Sequence, residues 1–168
     1  DARDISDGLA FYVRDENGHI TGNAYEWTSV GITLRHQDIV KAEEIRSEFN
    51  RLVNYCKEVG ISAMFEAGTP ACPELTERAY EILCDMDKIG ELPIYIDGSY
   101  AICDPAERPT AIQELARQHE KFNTEHVKVN TLKIYMDGTL NIRTANMVTP
   151  YVDTQTKGGR TFTENEIA

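Results

Sequence analysis

The chain has 168 residues, of which 41% are hydrophobic and 27% are charged, and its formal net charge is −11. This length fits one domain of ordinary size, and the composition is that of a folded globular protein rather than a collagen-like or disordered one. A strongly negative charge disfavours contact with the phosphates of nucleic acids or anionic membranes. We therefore expect neither nucleic acid nor a membrane as a partner.

Cellular location is suggested by what the sequence lacks. Its apolar runs are far shorter than the roughly 20 residues that cross a bilayer, and no signal peptide opens it, so we expect a cytoplasmic protein. Cys56, Cys72, Cys84 and Cys103 lie far apart without a CxxC pair, which predicts reduced thiols. Because the first residue is not Met, we expect that an upstream segment is missing.

The first predicted elements are a hairpin and a helix. Two runs of β-forming residues flank Asn17-Gly18, a dipeptide typical of hairpin turns, and predict strands over residues 9–14 and 19–24. From residue 37, apolar residues recur at steps of three and four until Gly60. This spacing predicts an amphipathic helix that ends at the glycine.

The following residues alternate between predicted strands and helices. Apolar runs at residues 61–68, 92–98 and 127–138 predict strands, the first of them buried on both faces. Residues 73–90 and 110–122 predict helices. Their inward residues are expected to be Leu75, Ala79, Ile82, Leu83, Met86 and Ile89 on the first helix, and Ile112, Leu115, Ala116 and His119 on the second. This alternation indicates an α/β fold made of parallel βαβ units.

The number of strands suggests a part of something larger. About three parallel strands are predicted, whereas a doubly wound sheet usually has five or more and a barrel has eight. Thr163 and Glu166 form a capping box, which predicts a helix that begins where the sequence stops. We therefore expect a truncated chain.

Charged residues at the ends of the predicted strands are the candidates for chemistry, because catalytic groups of parallel α/β folds lie there. They are Glu66, Asp97, and the pair Lys133 and Asp137. A carboxylate before glycine often only caps a turn, and this interpretation is favoured for Glu66 and Asp97 taken alone.

Lys133 is surrounded by apolar residues in its strand, and a buried ammonium is costly without a partner. Alternation places Lys133, Tyr135 and Asp137 on one face, which in a barrel is the interior. The residues leave three roles open for Lys133: an ion pair, a neutral reactive amine, or a carbamate formed with CO₂ that binds metal. The four histidines have no HxH or HExxH spacing, so no self-sufficient zinc site is predicted.

A family resemblance appears at the last predicted strand. The run VKVNTLKIYMDGTLNIRTANMVTPYVD at residues 127–153 resembles "vKlf.DGslgsrTAal..PY.D" of metal-dependent amidohydrolases of the imidazolonepropionase-like and N-substituted formamide deformylase-like branch. RDENGHITG at residues 14–22 looks like the family segment "rdadG.ptG", and VGISAMFEAG at residues 59–68 looks like "GitsvqdaG". The resemblance extends over most of the chain.

The resemblance implies a partial (β/α)₈ TIM barrel that hydrolyses carbon–nitrogen bonds with water activated by one or two divalent metals, with zinc expected. Lys133 matches the lysine that can be carboxylated and bridge two metals. Asp137 becomes the candidate catalytic residue. Arg143 becomes the candidate substrate-binding residue, which either lines the pocket or orders the loop.

The same resemblance suggests a division of the chain. Residues 1–35 are expected to form a β-hairpin insertion, residues 36–150 the βα units of the barrel, and residues 151–168 a polar tail that leads into a truncated helix. The family's HxH, its later histidines and its last aspartate have no counterpart. We therefore expect an internal fragment that is inactive and metal-free alone, whose complete protein hydrolyses a small-molecule amide.

Two other interpretations remain open, and one further property is expected. The chain could be an autonomous α/β binding or interaction module in which Lys133 is a structural cation. It could also be a metal-independent hydrolase that uses two of Glu66, Asp97 and Asp137 as paired carboxylates. Because an arc of a barrel exposes strand edges and apolar surface, self-association of the fragment is expected.

Overall fold

The computed structural model describes residues 11–26, 41–68 and 73–167. Strands β1 (Tyr12–Arg14) and β2 (Ile20–Ala24) form the antiparallel hairpin predicted around Asn17-Gly18. Gly18 has a φ of +82°, which suits a glycine, and the Asp15 carboxylate accepts hydrogen bonds from the backbone N–H groups of the turn. The predicted beginnings of the first strand and the first helix, at residues 9–10 and 37–40, lie outside the described residues.

A three-stranded parallel sheet forms the centre of the described structure. Its order is β3 (Ala63–Phe65), β4 (Tyr95–Ile102) and β5 (Val127–Ile134). The helices are α1 (Ala42–Val59), α2 (Pro73–Lys88), α3 (Ala111–Lys121) and the short α4 (Glu164–Ile167), with 3₁₀ turns at Pro105–Thr110 and Leu140–Ile142. The predicted α/β class and the three parallel strands are therefore confirmed.

Two glycines end the helices as predicted. Gly60 has a φ of +76°, its N–H donates to the Lys57 carbonyl, and the Ile61 N–H donates to the Cys56 carbonyl. Gly90, with a φ of +77°, ends α2 through the same pair of bonds. These are Schellman motifs, in which a left-handed glycine lets the chain satisfy the last carbonyls of the helix.

The core lies between the helices and one face of the sheet. Its buried side chains come from β4, β5, the inward sides of the helices and the segments next to these elements. One cluster contains Val53, Cys56, Tyr80, Leu83, Cys84, Met86, Leu92, Ile94, Ile96, Phe122, Val127 and Val129. A second cluster, nearer the carboxyl ends of the strands, contains Tyr100, Ile102, Ala111 and Phe162.

The opposite face of the sheet is uncovered by the described residues. Phe65 on β3 is 53% exposed and Tyr95 on β4 is 55% exposed. The prediction that the first parallel strand is buried on both faces is therefore wrong, as Phe65 shows. An apolar strand is buried on both faces only where a layer covers each face of the sheet. In the described residues, helices cover one face only.

The helices also differ from their predicted burial. Ile89 is 61% exposed because it follows the last residue of α2, where the chain turns at Gly90. On α3, Ile112 is 65% exposed, whereas Ala111 and Gln118 are buried. The buried side of α3 is thus shifted by about one residue from the predicted side and includes the polar Gln118. The prediction followed apolar residues alone and so left this side chain out.

Three cysteines lie in the core of the described structure. Cys56, Cys84 and Cys103 are buried thiols rather than half-cystines, in agreement with the prediction, while Cys72 lies outside the described residues. Among the helices that the structure describes, none has the length and apolar character needed to span a membrane.

Candidate functional site

The carboxyl ends of β3 and β5 carry two of the predicted site residues, Glu66 and Lys133. Glu66 directly follows β3, and Lys133 lies next to the end of β5, paired in register with Ala101 of β4. Parallel strands end on the same side of a sheet, so this arrangement follows from the topology. The last residue of β3, Phe65, is in register with Asp97 of β4, whereas Lys133 is in register with Ala101. Glu66 is therefore connected to the Lys133 region through the turn that follows it, at Gly68.

Asp97 lies within β4 rather than at its end, although its carbonyl accepts a hydrogen bond from the Glu66 N–H at 2.9 Å. The predicted end of its strand is wrong, because β4 continues through Gly98 to Ile102 and Asp97 is its third residue. Gly98 is not a turn residue: a Cβ at this position would lie 2.7 Å from the Tyr80 hydroxyl oxygen. The glycine instead makes room for the Tyr80 ring against the strand.

Glu66 is the centre of a partly buried hydrogen-bond network. Its Oε1 accepts from the Gly68 N–H at 2.9 Å, and its Oε2 accepts from the Tyr80 hydroxyl at 2.6 Å. The Ser99 hydroxyl donates to the Glu66 carbonyl at 2.9 Å, and the Ser99 N–H donates to the Tyr80 hydroxyl oxygen at 2.8 Å. Burial raises the pKa of Tyr80, and the Glu66 carboxylate raises it further, so the hydroxyl stays a donor.

This network agrees with the turn-capping interpretation of Glu66, and it adds a partner that the sequence did not indicate. Tyr80 is 1% exposed and lies on α2, fourteen residues after Glu66. The spacing of apolar residues on α2 cannot show whether a tyrosine only packs in the core or also donates a hydrogen bond to a carboxylate. The network joins β3, α2 and β4 at the edge where Lys133 lies.

Gly68 completes the turn after β3. Its φ is +93°, and a Cβ there would lie 2.6 Å from the Ala101 Cβ and 3.3 Å from the Lys133 Cγ. Its carbonyl accepts a hydrogen bond from the Tyr135 hydroxyl at 2.8 Å. The turn therefore lies directly against β4 and β5, and only glycine fits this position.

Lys133 is half-buried, and its Nζ lies 4.7 Å from the centre of the Tyr135 ring. This contact agrees with the predicted placement of Lys133 and Tyr135 on one face. Among the residues that the structure describes, no carboxylate forms an ion pair with Lys133, so the ion-pair role finds no partner there. Its neighbours Ile134 and Met136 are more exposed than their apolar character predicts.

Asp137 lies three residues beyond the end of β5. Its Oδ2 accepts from the Asn146 N–H at 3.0 Å, and its backbone forms a β-bridge with Arg160. The Thr161 N–H donates to the Met136 carbonyl at 2.9 Å. Asp137, at the start of the long loop after β5, therefore contacts the middle of that loop at Asn146 and its far end at Arg160, and its catalytic role stays a prediction.

Arg143 orders the same loop. Its Nη2 lies 2.8 Å from Asp153 Oδ2, its Nη1 donates to the Asn141 carbonyl at 2.6 Å, and its guanidinium lies 5.7 Å from the Tyr151 ring centre. Of the two predicted roles, these contacts agree with loop ordering. A contact with substrate stays a prediction.

The N-terminal hairpin is connected to this loop by Glu26. Its Oε1 accepts from the Thr139 N–H at 3.1 Å and from the Thr144 hydroxyl at 2.6 Å. We call these three residues the Glu26 clasp. Sequence analysis missed it, because the partners are more than one hundred residues apart and no local pattern joins them.

The described residues do not form a complete metal site. In residues 11–26, 41–68 and 73–167, no group of three His, Cys, Asp or Glu side chains is arranged to bind a metal ion. Stable metal sites in proteins use three or four protein ligands. The metal-ligand role of Lys133 therefore stays a prediction.

No protein-family model matches the chain. Among curated proteins, it is similar to the exoenzymes regulatory protein AepA of Pectobacterium carotovorum subsp. carotovorum, with 20% identity over 144 residues, 86% of this chain and 30% of that protein. Among solved structures, it is similar to an uncharacterized metal-dependent hydrolase from Pyrococcus horikoshii OT3, with a TM-score of 0.60 and 16% identity.

The structural likeness covers 93% of this chain and 30% of the hydrolase chain. It shows that the described α/β arrangement is also present in part of that larger protein. The chain thus spans 30% of the length of each of these two proteins.

Proposed function

We propose that this chain is one arc of a (β/α)₈ barrel in a metal-dependent hydrolase that cleaves carbon–nitrogen bonds of small-molecule amides. The observation that carries the proposal is Lys133. It lies half-buried near the carboxyl end of a parallel strand, without a described carboxylate partner, in a segment that resembles the carboxylated-lysine motif of the amidohydrolases. The fold shared with a metal-dependent hydrolase supports the same proposal.

The role proposed for Lys133 is a carbamate. Its neutral Nζ attacks the carbon of CO₂, an N–C bond forms, one C–O π bond breaks, and a proton is released to water. The product is an anion with two oxygens that can hold two divalent ions. Zinc is the ion that we expect. When bound, such ions activate water and polarise a carbonyl group.

The loop after β5 would shape the substrate side of this site. Asp137, whose carboxylate accepts from the Asn146 N–H, is proposed to act beside the reacting amide. Arg143 is proposed to form one wall of the substrate pocket while it keeps its pair with Asp153. The remaining metal ligands are proposed to come from outside the described residues.

The test uses the protein in its natural length. We expect the wild-type protein to bind zinc and to hydrolyse members of a panel of N-substituted amides, and Lys133→Ala to lower zinc affinity and turnover by about 100-fold or more. Zinc content after dialysis and initial rates are the measurements.

Lys128→Ala is the matched control, because Lys128 lies on the same strand and its ammonium contacts Asn123. We expect this control to keep both zinc and turnover. A Lys133→Ala protein with the zinc content and turnover of the wild type would overturn the proposal.

A further inference from the structure

We infer that Glu66 is a positioning residue that, through the turn at Gly68, holds the Lys133 side chain in the orientation in which it reacts with CO₂. The inference rests on the proposed function, because it assigns a purpose to the partly buried network beside Lys133. It concerns a residue that neither binds the amide nor coordinates a metal in the proposal above.

The first step is that Glu66 fixes its own turn. Both carboxylate oxygens are engaged, Oε1 by the Gly68 N–H and Oε2 by the Tyr80 hydroxyl. The Ser99 hydroxyl fixes the Glu66 carbonyl from the neighbouring strand. Hydrogen bonds to a carboxylate are stronger than neutral ones, so this turn has one preferred geometry.

The second step is that the turn contacts the lysine. Gly68 lies so close to β4 and β5 that a methyl group on its Cα would touch the Ala101 Cβ at 2.6 Å and the Lys133 Cγ at 3.3 Å. The aliphatic part of Lys133 therefore packs against the Gly68 backbone. Movement of this turn would open space beside the side chain and allow other rotamers.

The third step is that the turn also fixes the surface on which the amine lies. The Tyr135 hydroxyl donates to the Gly68 carbonyl at 2.8 Å, and the Lys133 Nζ lies over the Tyr135 ring. The same turn thus contacts the aliphatic part of Lys133 and orients the ring under its amine. A carbamate requires an amine held ready for CO₂, and preorganisation of this kind lowers the cost of forming it.

The main test replaces Glu66 by glutamine in the natural-length protein. Glutamine replaces one carboxylate oxygen by an NH₂ group, which cannot accept a hydrogen bond. Either the Gly68 N–H or the Tyr80 hydroxyl then loses its acceptor, so we expect the turn to shift. With [¹³C]bicarbonate as the probe, the ¹³C NMR signal of the Lys133 carbamate should require about tenfold more bicarbonate for half-occupancy. Tyr135→Phe, which removes the hydroxyl that donates to Gly68, should change the signal in the same direction.

A second measurement, made on metal-free protein in CO₂-free buffer so that the Lys133 amine carries no carbamate, does not depend on carbamate formation. Labelling with acetic anhydride, followed by peptide mass spectrometry, reports how accessible the Lys133 amine is relative to the exposed Lys57. We expect several-fold faster labelling of Lys133 in the Glu66→Gln protein. Glu77→Gln is the control, since it removes a half-buried carboxylate of α2 that contacts Arg117 and Lys121, and it should change neither measurement.

These measurements separate the two proposals. If the wild type shows the carbamate signal and Glu66→Gln changes neither this signal nor the labelling, the positioning role is overturned and the proposed function stays intact. Faster labelling in Glu66→Gln without any carbamate in the wild type would overturn the carbamate and keep the positioning of Lys133 by Glu66.

Discussion

At the scale of single residues, Tyr80 shows how one polar atom in the core connects several elements. Its ring packs against Phe122 and lies over Gly98, while its hydroxyl donates to Glu66 and accepts from the Ser99 N–H. A buried backbone N–H that loses its acceptor costs more than an ordinary hydrogen bond contributes. The hydroxyl is therefore important to stability beyond the packing of the ring.

We expect Tyr80→Phe to lower the free energy of unfolding by about 1–3 kcal/mol, because the Ser99 N–H and the Glu66 carboxylate both lose a buried partner. Urea unfolding followed by circular dichroism is the measurement. Tyr55→Phe on the exposed side of α1 is the matched control and should be neutral. Equal stability of the Tyr80→Phe and wild-type proteins would show that the network contributes nothing.

At the scale of elements, α2 and α3 are joined by a charged network. The Glu77 carboxylate of α2 accepts from Arg117 and Lys121 of α3, and Lys121 also contacts Glu81. The hydrogen bond from Arg117 is the main reason that the pKa of Glu77 is lowered. The contacts are partly exposed, so each contributes modestly and their effect depends on pH and salt.

The lowered pKa of Glu77 gives the stability of this interface a defined pH dependence. A carboxyl group whose folded pKa lies below its unfolded value of about 4.3 stabilises the fold above that value. The stabilisation is lost as the pH falls through the folded pKa. We therefore expect the stability deficit of Glu77→Gln, measured against wild type by urea unfolding, to be largest near neutral pH and to shrink in acid.

Glu120→Gln on the exposed side of α3 is the control for this pH series, and its stability should match the wild type throughout. A Glu77→Gln deficit of constant size from neutral to strongly acid pH would mean that the ion pairs with Arg117 and Lys121 are not its cause.

The elements that the sequence predicted are those set by local chemistry. Asn17-Gly18 marks a turn, and Gly60 and Gly90 mark helix ends, because each glycine adopts a left-handed conformation that other residues avoid. The order of strands and helices followed from these signals and from apolar spacing. Three parallel strands could therefore be predicted without any knowledge of tertiary contacts.

The features that the sequence did not predict depend on contacts between distant elements. Asp97-Gly98 has the composition of a turn, but the Tyr80 ring from α2 makes the glycine part of a continuous strand. The exposure of Phe65 depends on which layers surround the sheet. For the site, the position of Lys133 near a strand end was predictable, whereas its contact with Gly68 required the folded turn.

At the scale of the whole molecule, the sheet is open in the described part of the chain. Strands β3 and β5 each pair with β4 alone, and the face opposite the helices exposes Phe65 and Tyr95. Unpaired strand edges and exposed apolar groups favour contact with a second chain. We propose that the 168-residue chain associates with itself through this open sheet.

Sedimentation velocity over a range of concentrations tests this proposal. We expect the wild-type chain to form dimers or larger species, and Phe65→Lys to shift it toward monomer because a charge is placed on the open face. Val148→Lys, at a 91% exposed position in the loop after β5, is the control and should sediment like wild type. A wild-type monomer at high concentration would contradict the proposal.

The Glu26 clasp has a consequence for the order in which the molecule assembles. Glu26 and Thr144 are separated by 118 positions, and all three parallel strands lie between them. During synthesis the hairpin leaves the ribosome early, yet its docking partners are made only after β5 is complete. The hairpin therefore cannot dock until the chain has been made through Thr144, and its docking closes a segment of more than one hundred residues.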